Sequence, residues 1–295
     1  MLKNILIFIP HFRPGYKAGG PIKSIDNLAT YLSGKGVKVR IVCLNEDIDG
    51  EIYKDVVIGA FSYFRDNVEV LYVNRRNVTF SFIREFLVKD LYNYIYITGF
   101  FDSVFSIKVQ LMSHLGAVDN QKLIFAPRGE LYPGALAIKK VKKNIFLYLS
   151  KFLSSKLIFH ATSEEEQDCI NAVFPGADIR CAPNIPDLKE NVDTKSSYNN
   201  NNISFIFLSR ISEKKNLQLA IEMVLDANFG CSLDICGPIE DQGYFDRCMG
   251  QVVSHVNAHR ILYKGNILPS KVNKTLRNYD FLLFPTFGEN YGHVI

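Results

Sequence analysis

Arg210 and Lys215 stand five residues apart in Ser209-Arg210-Ile211-Ser212-Glu213-Lys214-Lys215-Asn216, between an apolar run and the start of a helical pattern. Cations so spaced at the carboxyl end of a strand can converge on a diphosphate, aided by N–H groups at the helix start. Lys214 and Lys215 sit where the helix macrodipole disfavours positive charge, which points to an anionic ligand; a solvated basic helix start is the plainer alternative. Gly19-Gly20-Pro21 follows the first apolar run. Glycine there lets backbone approach a phosphate or sugar closely, and a simple turn accounts for it equally. Glu289 is a lone carboxylate between Gly288 and Gly292, in a stretch from Pro285 to Ile295 with the composition of a strand-to-helix turn. Open α/β folds bind ligands at such turns, although an isolated acid there also reads as a favourable charge at a helix start.

The surrounding elements are legible from apolar spacing. Residues 4–9 form a β-branched and aromatic run, followed by a Gly- and Pro-rich loop from Pro10 to Gly20. Ile22, Ile25, Leu28, Ala29 and Leu32 have helical spacing, closed by Gly34 and Gly36, and Val37 to Leu44 is the next strand. Further strands are expected at 68–73, 94–98, 122–126 and 157–162, with helices near 80–92, 103–116 and 136–155. Ser163-Glu164-Glu165-Glu166 reads as a capping box that opens a helix to about Phe174. Residues 187–202 are polar, carry a four-Asn run and read as a linker or exposed loop. The pattern then restarts, with strands at 203–208, 231–236, 261–264 and 280–284. Helices are expected at 214–227, 242–257 and 270–278. Alternation of this kind predicts α/β architecture with two mostly parallel, doubly wound lobes: residues 1–186, a linker at 187–202, and 203–295.

A chain of 295 residues with 47% hydrophobic content has material for two cores. Its formal charge of +4 is mild and gives no support to a nucleic-acid partner. The six cysteines form no C-x-x-C pair and no metal-like spacing with the six histidines, and read as reduced, buried small hydrophobes. No run approaches the roughly 18 apolar residues of a membrane span. The apolar start ends at Pro10 without a small-residue cleavage site, so it reads as a strand and not a signal peptide. These features fit a cytoplasmic protein.

Taken together, these stretches resemble the retaining glycosyltransferases of family 4, also called glycosyl transferases group 1, whose GT-B fold has two facing Rossmann-like lobes. The resemblance spans essentially the whole chain. Gly19-Gly20 matches the family's N-terminal glycine loop, and Ala126-Pro127-Arg128-Gly129, His160 to Glu166 and Pro183-Asn184 resemble its N-lobe series. Arg210 with Lys215 matches the pair that holds the donor diphosphate, and Cys236-Gly237-Pro238 its C-lobe glycine turn. Pro285 to Ile295 looks like the opening of its E-x7-E signature.

The resemblance implies a UDP- or GDP-type nucleotide sugar as donor and a glycan or lipid-linked acceptor. Transfer would proceed with retention, in bacterial surface polysaccharide or lipopolysaccharide assembly. Arg210, Lys215 and Glu289 would be catalytic: the cations neutralise the departing diphosphate and the carboxylate holds sugar hydroxyls. Gly19, Gly20, Gly237, Tyr291, Gly292, His293 and Val294 would contact the donor, and Arg128, with Gly20, the acceptor side. No metal or other cofactor is expected, since Arg210 and Lys215 take the cation's place. Asp47-Ile48-Asp49 is formally a D-x-D metal–nucleotide motif, but its polar surroundings read as a solvated loop.

The sequence also departs from the family. Thr98 stands where relatives often have His. The second signature Glu would fall beyond Ile295, so the C-terminal lobe is expected to be truncated within E-x7-E. A non-catalytic fragment, and a GT-B relative such as a nucleotide-sugar epimerase, are the alternatives. Residues 139–156 mix Lys139, Lys140, Lys142 and Lys143 with aromatic and aliphatic residues. They read as a helix with one core and one basic face, or as a peripheral contact with anionic lipid at the inner face of the cell membrane.

Overall fold

Alternate residues of the first strand serve different cores. In β1 (Asn4–Phe8), Ile5 and Ile7 pack on one side of the sheet while Leu6 and Phe8 pack on the other. β2 (Lys38–Leu44) and β4 (Val68–Val73) divide their side chains the same way, as expected for parallel strands covered on both faces. Ile22, Ile25 and Ala29 of α1 (Gly20–Gly34) close one face. Ile83 and Leu87 of α2 (Phe80–Val88) and Val109 and Met112 of α3 (Ser106–His114) close the other.

This computed structural model describes residues 3–88, 92–114, 123–137, 146–147, 157–186, 202–268 and 271–286. The chain divides into two units, Met1–Leu188 and Lys189–Ile295. The first is built on an eight-stranded sheet, which also contains β3 (Ser62–Arg65), β5 (Tyr94–Thr98), β6 (Leu123–Ala126), β7 (Ile158–Ala161) and β8 (Asp178–Cys181). The strand order is β3-β4-β2-β1-β5-β6-β7-β8, with only β3 antiparallel to its neighbour. The order reverses between β1 and β5, which makes their carboxyl ends the topological switch point. A short α4 (Pro133–Ala137) follows β6, and α5 (Glu164–Val173) precedes β8.

The second unit has β9 (Ile203–Leu208), β10 (Cys231–Cys236), β11 (Ile261–Gly265) and β12 (Phe281–Leu282), all parallel, in the order β11-β10-β9-β12. Here the reversal lies between β9 and β12. Leu217, Ile221 and Val224 of α6 (Leu217–Leu225) and Tyr244, Cys248 and Val252 of α7 (Gln242–Val253) share one core with Phe207, Leu233 and Ile235. A last helix, α8, spans Val272–Leu276.

Several expectations need adjustment. β3 and β8 have no apolar run to announce them; they are sheet-edge strands, and three of the four β8 residues are exposed. The helix expected from 214 begins at Leu217, after a 3-10 turn at Glu213–Lys215. Between them Asn216 takes φ 55, a left-handed conformation that asparagine tolerates and that interrupts the helix. The capping box is half formed. Ser163 Oγ accepts from Glu166 N at 3.1 Å, but the Glu166 carboxylate accepts from Thr162 N and Gly129 N in place of the cap's own N–H. Cys43, Cys231, Cys236 and Cys248 are buried, whereas Cys181 is exposed on the edge strand. The lysine-rich segment 139–156 lies outside the described residues apart from Phe146 and Leu147.

Candidate functional site

In the second unit the loops that leave β9 and β10 are stitched together. Ile211 pairs with Ile239; Ile211 N donates to Pro238 O at 2.9 Å and Glu240 N donates to Ile211 O at 3.1 Å. Gly237 makes this possible: with φ 140, it lies so close to the preceding loop that a Cβ there would stand 1.8 Å from Ser209 O. Its own N–H donates to Gly265 O at 2.9 Å, and its carbonyl accepts from Tyr263 Oη at 3.0 Å. Burial pushes the thiol of the preceding Cys236 up to about 11, so this sulfur is a protonated packing group and not a nucleophile.

This stitching sets Arg210 and Lys215 at the carboxyl end of β9, the central strand beside the switch point. Arg210 Nη1 lies 3.1 Å from Glu240 Oε2, and both side chains are half exposed. A pair so open to solvent contributes about 1 kcal/mol at most, so an anionic ligand can displace the carboxylate. Lys215 Nζ lies 5.3 Å from the ring centroid of Phe284, which follows β12. Thr286 Oγ1 donates to Lys214 O at 3.1 Å, which ties the segment after β12 to the same turn. The loop after β9 thus carries Arg210 and Lys215, and the Gly237 turn after the neighbouring β10 packs against its first residues. Glu289, Tyr291, Gly292, His293 and Val294 lie outside the described residues.

In the first unit, Gly19 takes φ 74 and ψ −129 immediately before α1, with Gly20 and Pro21 in the opening turn. The loop from Pro10 to Gly19 is held from beneath by Asp47. The expectation of a solvated D-x-D loop is therefore corrected at its first residue: Asp47 is 3% exposed, and its carboxylate accepts from Tyr16 N, Lys17 N and Ile48 N. Asp49 is exposed and pairs with Lys17 Nζ at 2.5 Å.

Arg128 has φ 55 and projects from just beyond β6. Its Nη1 donates to Asn184 Oδ1, and its Nη2 donates to Tyr96 Oη at 2.8 Å. Tyr96 Oη in turn lies 2.7 Å from His160 Nδ1, and His160 Nε2 lies 2.9 Å from Ala182 O. Burial lowers the His160 pKa from its ordinary value, with Arg128 adding to the effect. Glu166, 1% exposed, accepts from Gly129 N, Thr162 N and Thr162 Oγ1 and so fixes the turn that carries Arg128. Tyr96, His160 and Glu166 were not expected at a site. No spacing signals Tyr96 and His160, whose partners are remote in sequence, and local spacing marks Glu166 only as a capping-box acid. Thr98 and Tyr53 share one feature with Arg128: Thr98 Oγ1, Tyr53 Oη and Arg128 Nε are the buried side-chain polar atoms without a partner among the described residues. Thr98 ends β5 and Tyr53 follows β2, so all three lie beyond or at carboxyl ends of the sheet.

Two Rossmann-like units with these parallel sheets are a GT-B fold. Comparison with solved structures shows the same architecture. HepE of Anabaena in complex with UDP and glucose matches with a TM-score of 0.66 at 13% identity, over 99% of this chain and 77% of that one. The apo form of the lipopolysaccharide outer core galactosyltransferase WaaB matches with a TM-score of 0.64 at 12% identity, over 99% and 76% of the two chains. The pneumococcal O-GlcNAc transferase GtfA, in complex with UDP and GlcNAc, matches with a TM-score of 0.57 at 10% identity, over 99% and 81%. No family model and no curated protein matches the sequence. The likeness is therefore one of fold.

Proposed function

We propose that this chain is a glycosyltransferase of the group 1, family 4 type that moves a sugar from a nucleotide-sugar donor to a glycan or lipid-linked acceptor with retention of configuration. Bacterial surface polysaccharide biosynthesis is the setting. The observation that carries this reading is that Arg210 and Lys215 lie in the one loop after β9, beside the switch point of a parallel sheet, with the side-chain-free Gly237 turn packed against Ser209 and Arg210 of that loop. Two cations there match a diphosphate, whose negative charge grows as the sugar's bond to it breaks. The structural neighbours solved with UDP and a sugar support the same ligand class.

In this reading Arg210 exchanges Glu240 for a diphosphate oxygen and Lys215 neutralises the departing group, so no metal is required. Glu289 holds donor-sugar hydroxyls, and Tyr291, Gly292, His293 and Val294 contact the donor. Gly19 and Gly20 let backbone approach the donor, and Arg128 belongs to the acceptor side. The test is a calorimetric titration with UDP and GDP of the wild-type chain and of Arg210→Ala. Binding of one nucleotide, weakened about 10- to 100-fold in the variant, is expected from loss of one charge-assisted contact worth about 1.5–3 kcal/mol. Equal affinity in the variant, or no binding of either nucleotide to a folded wild-type chain, overturns the reading.

A further inference from the structure

Among the described residues, Arg128 is a fixed cation without a counter-ion. A guanidinium has five N–H donors. Here one is taken by Asn184 Oδ1 and one by Tyr96 Oη, and Nε is buried with no partner. Both acceptors are neutral. Tyr96 Oη accepts from Arg128, so its own proton goes to His160 Nδ1; the histidine hydrogen is then on Nε2, donated to Ala182 O. His160 is thereby held neutral as well. The carboxylates on neighbouring segments are turned to backbone donors: Glu130 accepts from Phe100 N and Phe101 N, and Glu166 from Gly129 N and Thr162 N. Among the described residues no ion pair includes Arg128.

The conformation is costly too. Arg128 holds a left-handed backbone with φ 55, which is unfavourable at a non-glycine residue. A buried donor left unsatisfied forfeits the hydrogen bond it makes to water in the unfolded chain. Thr98 Oγ1, a second such atom, ends the neighbouring strand, where Thr98 is in register with Ala126, two residues before Arg128. A network that orients a cation rigidly and declines to neutralise it is suited to an anion that arrives from outside. Arg128 is only partly buried, so part of the residue remains open to such a ligand.

Resting on the glycosyltransferase reading above, we propose that Arg128 selects an acceptor that carries an oxyanion, either the carboxylate of an acidic sugar or a sugar phosphate, with Thr98 as a second polar contact. A neutral acceptor would leave the cation uncompensated and bind more weakly.

The probes are glucuronate, glucose 1-phosphate and neutral glucose, titrated by ligand-observed NMR. The protein is the full chain carrying Arg210→Ala and Lys215→Ala, so that phosphate cannot report on the proposed donor site. At least one anion is expected to bind about tenfold more tightly than glucose, and which one does so separates the two sources. Arg128→Gln should abolish the preference. Asn184→Asp is the stricter variant: it places a carboxylate against Nη1 with almost no change of shape, so the protein should gain thermal stability while the preference is lost. Equal binding of anions and glucose, or an anion preference that survives Asn184→Asp, overturns the proposal. If the preference fails while Arg210→Ala still weakens UDP binding, only the acceptor's charge is wrong. If an anion binds through Arg128 but no nucleotide binds the wild-type chain, the assignment of that anion as a transfer acceptor is overturned.

Discussion

The backbones of Gly237 and Ser209 meet so closely that any side chain at residue 237 would begin 1.8 Å from the Ser209 carbonyl oxygen. Both partners are main chain, so no rotamer change relieves the contact. The position of the Arg210 loop thus depends on a glycine one strand away.

Gly237→Ala should therefore destabilise the second unit by about 3 kcal/mol or more, combining a main-chain clash with a φ that L-residues rarely adopt. Urea unfolding monitored on that unit measures this. An alanine variant of unchanged stability would mean that the two loops part easily.

Glu240 competes with any anionic ligand for Arg210. Glu240→Gln should leave stability within about 0.5 kcal/mol, because the pair is half exposed. It should tighten UDP binding about two- to fivefold, the equivalent of a surface ion pair of up to about 1 kcal/mol. Calorimetry at low salt gives the answer, and weaker binding in the variant would show that Glu240 helps the ligand.

Protonation of His160 is opposed by its surroundings, since Nδ1 must accept from Tyr96 and Arg128 lies close by. Burial, the larger cause, sets its folded pKa below the ordinary 6.5. The unfolded chain then takes up the proton more readily than the folded one. This contribution is absent above about pH 6.5 and destabilises the fold as pH falls below it. His160→Gln should flatten that part of the profile. Urea midpoints of both proteins at pH 7.5 and 5.0 test it, and parallel losses in the two would exclude His160 as the source.

Much of the fold is legible in the sequence because parallel α/β units write it locally. The apolar runs at 4–9, 68–73 and 203–208 became β1, β4 and β9, and Gly34 and Gly36 lie at the end of α1 as expected. Strands that carry little apolar surface escaped, as Asp178-Ile179-Arg180-Cys181 did at the sheet edge. The cations Arg210 and Lys215 were legible as a pair because both lie in one loop. Their separation from a regular helix was not, since a single left-handed Asn216 breaks the pattern.

The sequence by itself determined the alternation of strands and helices, the position of the Arg210 loop after β9 and the glycine at 237, because spacing and backbone freedom are properties of neighbouring residues. The tertiary structure alone decided that Asp47 is a buried anchor for the first loop. It also decided that Tyr96, Arg128, His160 and Asn184, drawn from β5, β7 and the segments beyond β6 and β8, form one network. Strand order is set by which apolar faces bury each other across the whole sheet. No local pattern records which strand ends will stand side by side.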